Sequence, residues 1–241
     1  MAVISDIHGN LHALDAVLAQ IDEIRPDMTI CLGDVVGYGA FPNECIQRLR
    51  DRSIINLAGN HDHAAIGLTD ITYFNDIAKA ALEWTREQLA PDNIAWLKRC
   101  PFTCEIDDFF FVHASPNDPS SWGYILTFGD ARVAFTQFSQ RFGFVGHSHQ
   151  PSLVQLTGEE LTCPDDLHDP IRIKMGPRYL INAGSVGQPR DRNPQACFVV
   201  VDLDTAMITF NRVDYDVEAA QNAIRLMGLP EELAVRLEYG W

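Results

Sequence analysis

Near the start of the chain, Asp6 and His8 pair a carboxylate with an imidazole two positions apart, where the apolar run Ala2 to Ile4 should stop. On an extended chain alternate side chains point the same way, so the two can converge on one point, a pairing that suits a divalent metal. A lone Asp-x-His is common by chance. Its weight comes from later clusters of the same kind: Gly33-Asp34, Gly59-Asn60-His61-Asp62, His113 and Gly146-His147-Ser148-His149. Asp6, His8, Asp34, Asn60, His113, His147 and His149 offer the mixed oxygen and nitrogen donors that Mn, Fe, Zn or Ni accept. The residue types suit two adjacent cations sharing one carboxylate. Two ions about 3.5–4 Å apart can clamp a phosphate, polarise it and ionise a water near neutral pH. Any single histidine is more often a core or surface residue. Here, every histidine except His168 follows a predicted strand or sits in the first turn beyond it.

The elements that must position these residues are legible from periodicity. Ala2 to Ile4 reads as a strand. Leu11, Leu14, Val17, Leu18 and Ile21 then mark one face of a helix that Asn10 can cap. Met28 to Leu32 is a second strand, Pro42 to Arg50 a helix with proline at its start, and Ser53 to Ala58 a third strand. Strand, polar cluster and helix thus recur three times, the pattern of a mainly parallel sheet whose ligands gather beyond the carboxyl ends of its strands. The glycines before Asp34, Asn60 and His147 permit tight turns there. Residues 72–90 read as a long helix with Ile77, Ala80, Ala81, Trp84 and Leu89 inward, and a short helix follows Pro91. Phe102 to Ile106 and Phe109 to His113 form a hairpin around Asp107-Asp108, and 129–140 reads as a helix. Strands at 142–145, 153–156, 178–181, 197–202 and 207–213 precede two closing helices. Residues 163–177, rich in proline and glycine, read as an exposed insertion.

The chain has 241 residues with no separating linker, so 1–241 is expected to be one domain. Its 46% hydrophobic content is that of a globular protein. Neither an apolar run of membrane-spanning length nor a signal peptide stands out, which points to a cytoplasmic protein. A net charge of −15 disfavours nonspecific nucleic-acid binding, and an anionic substrate would need local positive charge such as metal ions supply. The six cysteines include no Cys-x-x-Cys pair and read as reduced thiols, Cys31 and Cys197 buried in strands.

Taken in order, D-x-H, G-D, G-N-H-D, a strand-end His and G-H-x-H resemble the motifs of the calcineurin-like metallophosphoesterase superfamily. Residues 182–190 are similar to a late loop of its small prokaryotic phosphodiesterase branch. The resemblance implies a four-layer α/β/β/α sandwich of two mixed sheets flanked by helices. It also implies Asp6, His8 and His149 on one ion, Asn60, His113 and His147 on the other, and Asp34 bridging. A metal-bridging hydroxide would attack phosphorus, and His61 would assist the leaving group, a role its imidazole suits. Asn10 and Arg190 are candidate substrate contacts, although Asn10 serves equally as a helix cap and Arg190 as a surface residue. The pattern departs from that of the protein phosphatases, which read Gly-Asp-x-Val-Asp-Arg-Gly. Gly37 replaces the aspartate that orients the catalytic histidine, and Tyr38 replaces an arginine. A hydrolase of small phosphate esters, diesters favoured, is therefore expected. A nucleotide or dinucleoside-polyphosphate hydrolase is the alternative, and a noncatalytic interaction scaffold the alternative from another class. A homodimer is the default assembly.

Overall fold

The computed structural model describes residues 1–241, the side chain of Tyr73 excepted. The first half alternates strand and helix: β1 (Ala2–Ile4), α1 (Leu11–Ile24), β2 (Thr29–Cys31), α2 (Pro42–Asp51), β3 (Ile55–Asn56) and α3 (Asn60–Ala65). Helices α4 (Asp76–Gln88) and α5 (Pro91–Leu97) follow. They lead to the hairpin of β4 (Thr103–Ile106) and β5 (Phe109–Val112), then α6 (Phe128–Phe135) and β6 (Phe142–Val145). The remaining strands are β7 (Ser152–Thr157), β8 (Glu160–Thr162), β9 (Ile171–Arg172), β10 (Arg178–Asn182), β11 (Ala196–Asp202) and β12 (Met207–Val213). The helices α7 (Val217–Leu226) and α8 (Glu231–Tyr239) close the chain.

Two six-stranded mixed sheets result, ordered β3-β2-β1-β11-β12-β9 and β4-β5-β6-β10-β7-β8. Strand alternation builds three layers of core from them. Val3, Phe109 and Phe111 face the space between the sheets, with Phe142, Phe144 and Tyr179. Their neighbours Ala2 and Ile4 face α1 and α2 on one outer side, and Phe110 and Val112 face α6 on the other. The helices therefore flank two face-to-face sheets. In the first sheet β3, β2 and β1 run parallel, and in the second β5, β6 and β10 do. Their carboxyl ends gather at one end of the sandwich, which places residues 6, 34, 60, 113, 147 and 182 together.

Several boundaries differ from the sequence expectation for local reasons. The helix expected from 72 begins at Asp76, because the Asn75 side chain accepts from the Ala78 N–H at 2.9 Å. Its buried face is Ala78, Ala81, Leu82 and Thr85, and Ala80 is exposed. The strand expected over 53–58 shrinks to β3, which lies at a sheet edge with a partner on one side only. The 129–140 helix stops at Phe135. The 163–177 segment is not wholly an exposed insertion: Ile171 pairs with Ile208 in the first sheet, and Ile173 is buried. All six cysteines are free thiols, with Cys31, Cys45 and Cys197 buried. Among the described residues no helix is long and apolar enough to cross a membrane.

Candidate metal centre

Asp6, His8, Asp34, His113, His147 and His149 are buried at this end of the sandwich, and so is Asn60. One ligand atom each from Asp6, His8, Asp34 and His149 lies within 4.8 Å of the others, and the same holds for Asp34, His113 and His147. Asp34 belongs to both groups. Asn60 joins the second, its Oδ1 lying 3.2 Å from His113 Nε2.

The backbone that presents these side chains is not extended. Asp6 (φ 53°), His8 (φ 49°), Asp34 (φ 53°), His147 (φ 65°) and His149 (φ 59°) are all left-handed. Each such residue costs roughly 1–2 kcal/mol, strain that recurs where a fold fixes functional side chains. Asp6 and His8 therefore meet through a tight irregular turn rather than through strand alternation. Long-range bonds hold that turn: Asp6 N–H donates to Gly33 O at 3.0 Å, His8 N–H to Asp34 O at 2.9 Å, and Gly187 N–H to Asp6 O at 2.9 Å.

Each carboxylate is anchored through one oxygen. His147 N–H donates to Asp6 Oδ2 at 3.0 Å, and His61 N–H donates to Asp34 Oδ1 at 2.8 Å. The second oxygens face the cluster. Asp6 Oδ1 has no hydrogen-bond partner and lies 3.3 Å from His149 Nε2, and Asp34 Oδ2 lies 3.4 Å from His113 Nε2. Gly59 explains how close the loops come, since a Cβ there would lie 2.1 Å from Asp34 Oδ1.

The histidines carry the decisive geometry. His8 Nδ1 lies 3.2 Å from Val36 O, and His149 Nδ1 lies 2.6 Å from Gln188 O. Carbonyls only accept, so each Nδ1 carries the proton and each Nε2 a lone pair. The two Nε2 atoms face one another at 3.1 Å with the Asp6 and Asp34 oxygens alongside. Facing lone pairs beside two carboxylates repel each other until a cation lies among them. His147 Nε2, buried without a partner, adds a free donor to the second group. The residues present therefore fit divalent cations.

Burial holds His8 and His149 well below the ordinary imidazole value, so both rings are neutral near pH 7, the form in which an imidazole can bind a cation. Burial takes His147 down to about 3. For His113 burial is outweighed by attraction to Asp34 and Asp6, which lifts it to about 9. Burial also opposes ionisation of Asp34, yet His113 and His61 hold that carboxyl well below its usual range. Asp6 is pushed up to about 6 by burial. In the metal-free cluster Asp34 and His113, 3.4 Å apart, favour each other's charged forms, and a cation bound at His113 would have to displace its proton.

His61 lies beside the donors without belonging to them, lining a narrow crevice with Asp34, Asn60, His147, His149 and Arg190. The neighbouring Asp62 does not orient it, because that carboxylate accepts from Val36 N–H and Gly59 N–H. Rings do: Tyr38 at 4.4 Å, His8 at 4.8 Å and Phe74 edge-on at 5.1 Å between centroids. Gly37 completes the seat, with φ +88° and a position where a Cβ would lie 2.7 Å from His61 Nδ1. The space that an aspartate would occupy at residue 37 is filled by the imidazole itself. Burial lowers His61 to about 4.

Asn10 is held on both sides, its Oδ1 accepting from Ala13 N–H at 3.1 Å and its Nδ2 donating to Gly187 O at 2.9 Å. It is a strut between α1 and the 182–190 loop, and a substrate contact would have to break one of these bonds. Asn182 was not singled out in the sequence as a site residue. It donates to Gly146 O at 2.7 Å and Ser148 Oγ at 3.0 Å, bracing the loop of His147 and His149. Arg236 was missed because it lies in the last helix, far from any motif. Together with Tyr38, His61, Phe74, Trp122 and Arg190 it lines a cavity of about 500 Å³ beside the crevice.

The model of the calcineurin-like phosphoesterase superfamily domain matches residues 1–206. The chain belongs to that superfamily. An uncharacterised protein of Methanocaldococcus jannaschii is 38% identical over 245 aligned residues, covering 100% of this chain and 98% of that protein. The crystal structure of a metallophosphoesterase from Sphaerobacter thermophilus superposes with a TM-score of 0.85 at 37% identity, covering 100% of this chain and 98% of that one. A hypothetical protein from Pyrococcus horikoshii has the same fold, with a TM-score of 0.83 at 24% identity and the same two coverages. Membership makes the chain a metal-dependent hydrolase of phosphoric esters in coarse class. The fold expected from the motifs, two mixed sheets flanked by helices, is the one observed.

Proposed function

We propose that this protein hydrolyses phosphoric esters, diesters in preference to monoesters, at a centre of two divalent cations. The observation that carries the reading is the pair of buried donor groups sharing Asp34. Asp6, His8 and His149 would hold one cation and Asn60, His113 and His147 the other, with Asp34 common to both groups. Cations bound there would polarise a phosphoryl oxygen and bring the pKa of a water near neutrality. Strained, multiply anchored loops keep the donors in place before any ligand arrives, so little reorganisation accompanies binding.

His61 serves the departing oxygen. A ring lowered to about 4 is neutral near pH 7, so it offers an N–H hydrogen bond rather than a full positive charge. Arg190 lines the same crevice and supplies a guanidinium for phosphate oxygens. Tyr38, Phe74 and Trp122 give the adjoining cavity apolar walls for the organic part of the ester. Tyr38 in place of an arginine removes one cation from the crevice, which suits a singly charged diester better than a doubly charged monoester.

The cavity of about 500 Å³ with its second arginine favours one further reading, hydrolysis of a nucleotide or dinucleoside polyphosphate. Metal-stripped protein refilled with Mn, Ni or Zn is assayed on a chromogenic phosphodiester and its monoester, then on nucleotides. Turnover restored by metal and lost in folded Asp34→Asn and His61→Ala variants is the expected result. Fully metallated protein that turns over none of these esters would overturn the reading and leave an interaction scaffold in its place.

A further inference from the structure

Two arginines meet above the crevice without a carboxylate between them. Arg190 donates through an Nη to Gln188 Oε1 at 2.9 Å, and Arg236 donates to the same oxygen at 3.2 Å. Arg190 also approaches Tyr38 Oη at 3.5 Å and stacks 5.8 Å from that ring. Its Nε is buried and has no partner. Among the described residues, arginine and lysine ion pairs form at Arg48, Arg52, Lys79, Arg212 and Arg225, and neither Arg190 nor Arg236 forms one. In a chain of net charge −15, two half-buried guanidiniums sharing one neutral acceptor are an unneutralised double positive charge. Burial and the Arg190 charge both disfavour protonated Arg236, the opposite of what a neutralised pair would feel.

The two arginines are not equivalent in position. Arg190 lines both the crevice of the metal donors and the larger cavity, whereas Arg236 lines the cavity alone. A scissile phosphate seated at the metal donors can reach Arg190, and Arg236 lies beyond it. Gln188 explains the arrangement, since its backbone carbonyl accepts from His149 Nδ1–H while its side-chain oxygen accepts from both guanidiniums. Arg236 comes from α8, outside the residues 1–206 matched to the superfamily. The carboxyl-terminal helix therefore supplies charge that the superfamily motifs do not.

We propose that Arg190 and Arg236 form a second anion subsite, which binds a phosphate group next to the scissile one and selects substrates carrying two phosphates. This rests on the ester-hydrolase reading for the identity of the first phosphate. The bidentate, charge-assisted donors of arginine suit a phosphate or phosphoanhydride oxygen in a cavity partly shielded from water.

The test uses two inert probes, methylenediphosphonate and methylphosphonate, binding to Mn-refilled protein in a calorimeter with metal content checked afterwards. Wild-type protein is expected to bind the diphosphonate at least tenfold tighter than the monophosphonate. Arg236→Gln should lose about tenfold in diphosphonate affinity, equivalent to about 1.4 kcal/mol, with little change for the monophosphonate. Arg236→Lys, which keeps the charge but loses the bidentate fork, should bind the diphosphonate with an affinity between those of wild type and Arg236→Gln. An Arg236→Gln variant with wild-type melting and undiminished diphosphonate binding would overturn the subsite, as would a wild-type protein without the preference. Binding heats need no turnover. Diphosphonate selectivity in a protein that splits no ester would defeat the hydrolase reading and leave the subsite standing.

Discussion

Replacing Gly37 with alanine tests how this fold positions His61. The new Cβ would lie 2.7 Å from His61 Nδ1 and 3.3 Å from its Cβ and Cγ. Van der Waals contact lies near 3.5 Å, so the ring must retreat by roughly 0.8 Å. Tyr38, His8 and Phe74 block three directions of retreat. A misplacement of this order at a reacting group costs roughly 10- to 100-fold in turnover. Stability falls as well. The φ of +88° adds about 1–2 kcal/mol of backbone strain, and overpacking adds about 1–3 kcal/mol. At roughly 2–4 °C per kcal/mol for a chain of this size, the melting point should drop by about 4–20 °C. His61 lies outside the proposed donor set, so metal content should match wild type. The assay is kcat on a chromogenic diester with metal-refilled protein, beside metal analysis and a melting curve. A folded, fully metallated Gly37→Ala protein with turnover within twofold of wild type would refute the packing account of His61.

Asp34→Asn should reduce bound metal at both halves of the centre, read by metal analysis, whereas His61→Ala should keep the metal and lose turnover by about 10²- to 10⁴-fold. Equal metal loss in both variants would contradict the placement of His61 outside the donor set. In metal-free protein His113, raised to about 9 by Asp34 and Asp6 against burial, contributes stability that is complete below pH 6.5 and lost as pH rises through 9. Asp62, raised to about 8 by burial and by Asp34, acts in the same direction: the fold holds a proton that the unfolded chain has released. The metal-free melting point should therefore fall from pH 6.5 to 9, and metal should flatten that slope by displacing the His113 proton; a flat metal-free profile would contradict the ion pair. Asn182→Ala removes three buried hydrogen bonds, to Gly146 O, Ser148 Oγ and Gly184 N. It should cost about 2–4 kcal/mol in chemical denaturation and weaken metal affinity, and a loss below about 0.5 kcal/mol would deny it the bracing role.

Chemical type and order along the chain were enough to nominate the donors. A carboxylate, imidazole or amide after each predicted strand marks a site wherever parallel strands end together, and strand periodicity is a local property. The sequence also predicted the α1 cap at Asn10, the β4–β5 hairpin and the closing helices, because capping, turns and amphipathic faces depend on residues a few positions apart. Its account of how Asp6 and His8 converge was different from the observed one. Left-handed backbone at non-glycine residues is imposed by long-range bonds, such as those from Asp6 N–H to Gly33 O and from Gly187 N–H to Asp6 O, and no local propensity announces it. Only the tertiary structure decided that rings rather than a carboxylate seat His61, since Gly37, Tyr38 and Phe74 meet it from separate loops. Arg236 is the clearest case. Read along the chain it is one basic residue on an amphipathic helix, and it becomes an anion donor because Gln188, 48 residues away, gathers it beside Arg190. Composition and spacing fix which groups are available, while the charge felt at a point in space depends on which distant elements the packing of two sheets brings within a few ångströms.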